Sequence, residues 1–178
     1  MGWFVKMVGY KEEIEKINSD IFIVSEDTID LFEKRQIVVL DTSVIVKWFF
    51  KEDEKNTENA ELILQRYFKN EIRIITPEIL FFELTNTIKN KSLKNKNCQF
   101  EVIDKIFSIG IIFYINKEIL KSALKTANKI VESVYDCIFI ATAEHFSGIF
   151  ITDDKKLYEN YIKFGDRKVK VILLKDYH

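Results

Sequence analysis

Two short strings of acids and hydroxyls, Asp41-Thr42-Ser43 and Thr152-Asp153-Asp154, each close a run of β-favouring apolar residues, Ile37 to Leu40 and Ile149 to Ile151. Ligands of an open parallel sheet bind at the carboxyl edge of its strands, so acids placed there invite a chemical reading. Two more acids lie in otherwise greasy helical stretches: Glu83 beside the stripe Leu80, Leu84, Ile88, and Asp136 in the first turn of Tyr135 to His145. Each has an ordinary reading by itself. Asp41 suits a turn or helix cap, Glu83 can reach solvent from its stripe, Asp136 favours a helix N-terminus, and Asp154 suits an N-cap. Gathered without a counter-ion, however, such carboxylates repel, and some take up protons. A cluster of this kind makes physical sense around a hard divalent cation bound through oxygen, Mg²⁺ or Mn²⁺. Two such ions roughly 3.5–4 Å apart would activate a water and stabilise the leaving oxygen of a phosphodiester. The chemistry expected is metal-assisted phosphodiester cleavage.

The acids must be positioned by a fold, and the chain has the means to build one. Its 178 residues suffice for one domain with a real core, and 47% apolar against 31% charged residues describes a globular protein and excludes a disordered one. With 27 Lys plus Arg against 28 Asp plus Glu, no global field attracts nucleic acid, so any such contact must come from a local patch. Two cysteines, Cys98 and Cys137, make no disulfide framework and no zinc site, and His145 and His178 supply little for histidine-based catalysis. No apolar run approaches the ~20 residues of a membrane span, so the expectation is a soluble, cytoplasmic protein.

From Ile37 onward strands and helices alternate. Ala60, Ile63, Leu64, Tyr67 and Phe68 carry helical spacing over Asn59 to Phe68, and Ile72 to Ile75 is a short buried strand. Thr76 and Pro77 read as cap and first residue of the helix holding Leu80, Leu84 and Ile88. Lys89 to Asn97 reads as a basic solvated loop or frayed helix end, Gln99 to Ile109 as a helix stopped by Gly110, and Ile111 to Tyr114 as a third strand. Asn116 caps the next helix, Ser133 opens another that runs to about His145 and is stopped by Gly148, and Ile149 to Ile151 is the fourth strand. A helix over Lys155 to Tyr161 and a strand over Val169 to Leu174 complete the pattern. The alternation predicts an α/β fold with a central, mainly parallel sheet flanked by helices. Residues 1–34 break the pattern and read as an N-terminal extension of unassigned role before a domain over 35–178, with extra packing as the default.

The strings VVLDTSVIVKWF, TPEILFFELTNTI, VYDCIFIATAEHF and FITDDKKL, in this order, resemble the PIN-domain ribonucleases, most closely the VapC-type toxins. The resemblance spans residues 37 to 174 and rests on the joint order of four short motifs. It implies a three-layer PIN-like fold and a metal site made by Asp41, Glu83, Asp136 and Asp154, with Asp153 at the variable position of the last motif. Ser43 and Thr152 would support the carboxylates, as would Asp153 if it shares the role of Asp154, and Lys47, Lys155 and Lys156 are candidate RNA phosphate contacts. Lys89, Lys91, Lys94 and Lys96 form a second candidate rail. The resemblance further implies an RNA substrate, a homodimer and a small antitoxin partner. Phosphotransferases of the haloacid-dehalogenase type want a second Asp where Ser43 stands, and receiver domains want an acidic pair after their first strand. Other readings are a PIN-like module that binds RNA or protein without cleaving, a stand-alone RNA-processing enzyme and a DNA nuclease.

Overall fold

Residues 35–51, 54–91 and 97–178 are described by a computed structural model. The helices expected within residues 10–34, the strand over 21–24, Lys94, Lys96 and the side chain of Cys98 lie outside the described residues. The middle of the molecule is β1 (Gln36–Leu40), whose Val38, Val39 and Leu40 have no exposed surface. Side chains of this size contribute about 1.5–3 kcal/mol each when buried, which is why a continuous Val/Ile run becomes a central strand.

β1 leads through a short helix α1 (Thr42–Ile45) and a 3-10 turn (Val46–Trp48) to α2 (Thr57–Phe68), then β2 (Ile72–Thr76) and α3 (Ile79–Lys91). After α4 (Asn97–Ser108) come β3 (Ile112–Phe113), α5 (Lys117–Ile130), α6 (Val134–His145), β4 (Ile149–Thr152), α7 (Lys155–Phe164) and β5 (Lys170–Leu173). The sheet runs β3-β2-β1-β4-β5 and every pairing is parallel. Chain order thus moves outward from β1 on one side, then jumps back across it to β4. The crevice between the carboxyl ends of β1 and β4 is a topological switch point, where open α/β sheets place their ligands.

One face of the sheet is covered by α6, which contacts β1, β2 and β4 and is itself packed against α5. Every residue from Cys137 to Ala143 is buried, as a helix held between a sheet and another helix requires. The alternation of strands and helices therefore holds, and the expected α/β class with it. Among the described residues, no helix is long and apolar enough to cross a membrane.

Three local expectations differ. Thr76 does not cap α3: it is the last residue of β2, and its hydroxyl donates to the Leu40 carbonyl at 3.5 Å. The helix begins instead with a tight turn in which the Leu80 N–H reaches the Pro77 carbonyl. Gly148 is not the left-handed stop of α6, since Ser147 takes that conformation at φ 50°. Glycine stands at 148 because a Cβ there would lie 2.8 Å from the Ile37 carbonyl oxygen of β1. The run after Asp41 also contains a helix, α1, that its unbroken apolar character conceals.

Candidate active site

Asp41 leaves β1 with its N–H donated to Ile151 of β4 at 3.0 Å, and its carbonyl accepts from Val44 as α1 begins. Its carboxylate does not cap that helix. Instead Oδ2 accepts from the Ser43 hydroxyl at 2.8 Å and from the Thr152 hydroxyl at 2.5 Å. The two hydroxyls are themselves pinned: Ser43 Oγ accepts from the Asp153 N–H at 3.1 Å, and Thr152 Oγ1 from the Asp154 N–H at 2.9 Å. Ser43 and Thr152 therefore tie the turn after β4 to the acid at the end of β1.

Glu83 reaches the same edge from α3 and accepts a 2.6 Å hydrogen bond at Oε2 from the Thr42 hydroxyl. Asp136 arrives on the first turn of α6, where Ser133 both caps the helix and donates to Asp136 Oδ2 at 2.6 Å. Burial pushes the Asp41 carboxyl up, against the opposing pull of its hydroxyl partners, and the charge of Asp136 pushes it further. Burial likewise raises Glu83, Thr42 opposes this, and Asp41 and Asp136 both add to it. Three acids from three elements thus act on one another across the switch point. Asp154 is exposed and caps α7 through Oδ1, to which the Leu157 N–H donates at 3.0 Å. It shares the field around Lys156 with Asp136: Glu132 chiefly, then Asp154 and Asp136, hold that ammonium above its ordinary value.

The lysines part company. Lys156 and Lys155 are exposed, the first paired to Glu132 at 3.0 Å and the second to Glu159 at 3.4 Å. Lys47 is buried between Glu54 and Asp153, so the expectation of a phosphate contact there is replaced by an internal ion pair. Lys91 is also engaged, with Glu54.

Thr42 is the site residue whose role sequence reasoning missed: its place between Asp41 and Ser43 was visible, its reach to Glu83 was not. Ser133 shows in sequence as a helix start, with no sign that its hydroxyl also holds Asp136.

Among the described residues, no three Asp, Glu, His or Cys side chains stand close enough to chelate an ion by themselves. Mg²⁺ is ordinarily held by one or two carboxylates, with waters and substrate phosphate oxygens filling its shell, so carboxylates grouped loosely at an open edge suit it. The donors are all hard oxygens, and the mutual repulsion of Asp41, Glu83 and Asp136 is what a cation there would relieve.

The fold and the edge of acids define a class. The family model of the PIN domain matches residues 38–163, and the chain belongs to that family, whose members are generally nucleases. No curated protein matches the chain. Among solved structures, VapBC2 from Rickettsia felis, bound to a promoter DNA fragment, is similar with TM-score 0.56 at 15% identity over 77% of this chain and 98% of that one. A toxin-antitoxin complex from Klebsiella pneumoniae is similar with TM-score 0.55 at 16% identity, over 77% and 97%. VapC20 of Mycobacterium tuberculosis, a sarcin-ricin loop cleaving toxin, gives TM-score 0.53 at 9% identity, over 68% and 93%. At such identities the likeness is one of fold.

Proposed function

We propose that this chain is a divalent-metal-dependent endoribonuclease, the toxin of a toxin-antitoxin pair, acting on cytoplasmic RNA. The observation that carries the reading is the set of hydroxyl braces on acids from three elements: Ser43 and Thr152 on Asp41, Thr42 on Glu83 and Ser133 on Asp136. Asp41, Asp136 and Asp154 would hold Mg²⁺ or Mn²⁺. Bound there, the ion would supply polarisation of a phosphate oxygen and a more acidic water.

The chain's own groups do the rest. Ser43 and Thr152 fix the rotamer of Asp41. Glu83, whose carboxyl is pushed upward by burial, would orient the attacking water and accept its proton. Lys155 and Lys156, exposed on the first turn of α7, offset the charge of an incoming phosphate backbone. Assembly as a homodimer with a small antitoxin follows the family resemblance, and several similar structures are themselves toxin-antitoxin complexes.

The test compares wild type with Asp41→Asn on single-stranded RNA and matched DNA, with Mn²⁺ and with a chelator. Wild type should cleave RNA only with the ion, and Asp41→Asn should be slower by about 100-fold or more. RNA bound but left intact by both proteins would make this a non-catalytic module. Preferential cleavage of DNA would make it a DNA nuclease.

A further inference from the structure

Two adjacent aspartates follow β4, and the backbone does not choose between them. The Asp153 N–H lies on Ser43 Oγ and the Asp154 N–H on Thr152 Oγ1, and both hydroxyls donate to Asp41 Oδ2. Each main chain is therefore two hydrogen bonds from the same carboxylate. The side chains break this symmetry. Both oxygens of Asp153 are already engaged: Oδ2 lies 3.0 Å from Lys47 Nζ, and Oδ1 accepts from Asn56 Nδ2 at 2.8 Å. Asp154 caps α7 through Oδ1 and is otherwise exposed.

Lys47 is an unusual place to spend a lysine. Its side chain is only 4% exposed, and its ammonium lies between Asp153 and Glu54, the latter 2.6 Å away. Burying a cation is costly unless it is well paired, and this one is paired twice. Glu54 is in turn engaged by Lys91 at the end of α3, the helix that carries Glu83. Asn56 stands at the N-cap of α2 in a left-handed conformation, φ 59°, and makes no side-chain cap for its own helix while its amide donates to Asp153. Two groups, Lys47 and Asn56, thus hold the Asp153 carboxylate directly, and Glu54, itself paired with Lys91, holds Lys47 in place.

We propose that Lys47 is a positioning residue that withholds Asp153 from the acidic edge, leaving Asp154 as the carboxylate available there for a divalent cation. The inference rests on the metal-dependent reading above. Without the ammonium, the mostly buried Glu54 keeps Lys91 as its partner while Asp153 loses the cation it is paired with, and a divalent cation at Asp41 would compete for the freed carboxylate. Asp153 would then add an oxygen donor at that edge, tightening cation binding while disturbing the arrangement set by Asp41 and Asp154.

The experiment is calorimetric titration of Mn²⁺ into wild type, Asp41→Asn, Lys47→Met and Lys47→Met/Asp153→Asn, with RNA cleavage measured alongside. Lys47→Met should bind Mn²⁺ about tenfold more tightly than wild type while kcat falls by about tenfold with KM little changed. Adding Asp153→Asn should return both values toward wild type. A lysine that only braced a loop would leave affinity equal or weaker on removal, and that result overturns the proposal. Should Lys47→Met fail to fold, Asp153→Asn and Asp154→Asn in the native background decide it. Asp154→Asn must weaken binding by about tenfold or more, and Asp153→Asn by clearly less. The opposite order overturns the proposal. If wild type and Asp41→Asn bind Mn²⁺ alike, the metal reading itself falls and takes this inference with it, an outcome distinct from failure of the lysine variants alone.

Discussion

Glu83 and Asp41 are carboxylates that the fold pushes toward their protonated forms, burial first and neighbouring acids after it. The native state therefore holds their protons to higher pH than the unfolded chain, whose ordinary values are 3.8 for Asp41 and 4.5 for Glu83. By linkage, stability from these groups falls as pH rises from those values through the raised native ones, and the penalty persists at neutral pH. In chelator at pH 7, Glu83→Gln should melt higher than wild type by roughly 2–4 °C, and the gap should close near pH 4. Mn²⁺ should raise the melting temperature of wild type more than that of Glu83→Gln. A thermal scan of both proteins across pH, with and without the ion, checks the sign at each step. At this scale the sequence was most informative about the acids, which announce themselves as charge at the ends of apolar runs. It was least informative about Lys47. A lysine in the string VIVKWFF looks like a break toward solvent, and only the fold shows Glu54 and Asp153 closing over it.

Elements matter here because each acid hangs from a different one, and two backbone positions control how those elements meet. Gly148 lets β4 lie against β1, and Gly148→Ala would press a Cβ to 2.8 Å from the Ile37 carbonyl. Relief requires moving the strand that presents Asp41, so the variant should lose about 1–3 kcal/mol in denaturant unfolding. Val131 is the opposite case. It ends α5 in the left-handed region at φ 59° with 81% of its surface exposed, a conformation that suits glycine and strains a β-branched side chain. Val131→Gly should stabilise the protein by about 0.5–1 kcal/mol in the same assay, since relief of strain outweighs the added freedom of the unfolded chain. Apart from α1, element existence was legible over 37–174, because helical spacing and short Val/Ile runs are strong signals. Ends were legible where a side chain does the capping, as at Asn116 and Ser133. Where the backbone does it, Gly110 was legible as a left-handed stop, and the start of α3 was not. Thr76 looked like a cap because its type fits one, while strand pairing with β3 had the stronger claim on it.

At the scale of the molecule, alternation in the sequence gives parallel strands but says nothing of their order. Nothing in residues 37 to 174 announces that β4 returns beside β1 rather than continuing past β3. That one jump creates the crevice and brings Asp41 next to Thr152, 111 residues away. The motif order that resembles PIN ribonucleases supplied the pairing that elementary patterning lacked. The family match over residues 38–163 covers every acid of the site. An ion held at this crevice, as proposed, would bind only the folded chain and so should stabilise the whole fold by mass action. The most direct measurement is the anomalous scattering of Mn²⁺ in crystals of the wild-type protein. The account predicts a peak about 2.1 Å from a carboxylate oxygen of Asp41, with Asp136 and Asp154 beside it and Asp153 still on Lys47. A peak elsewhere on the molecule, or none at millimolar Mn²⁺, would contradict it.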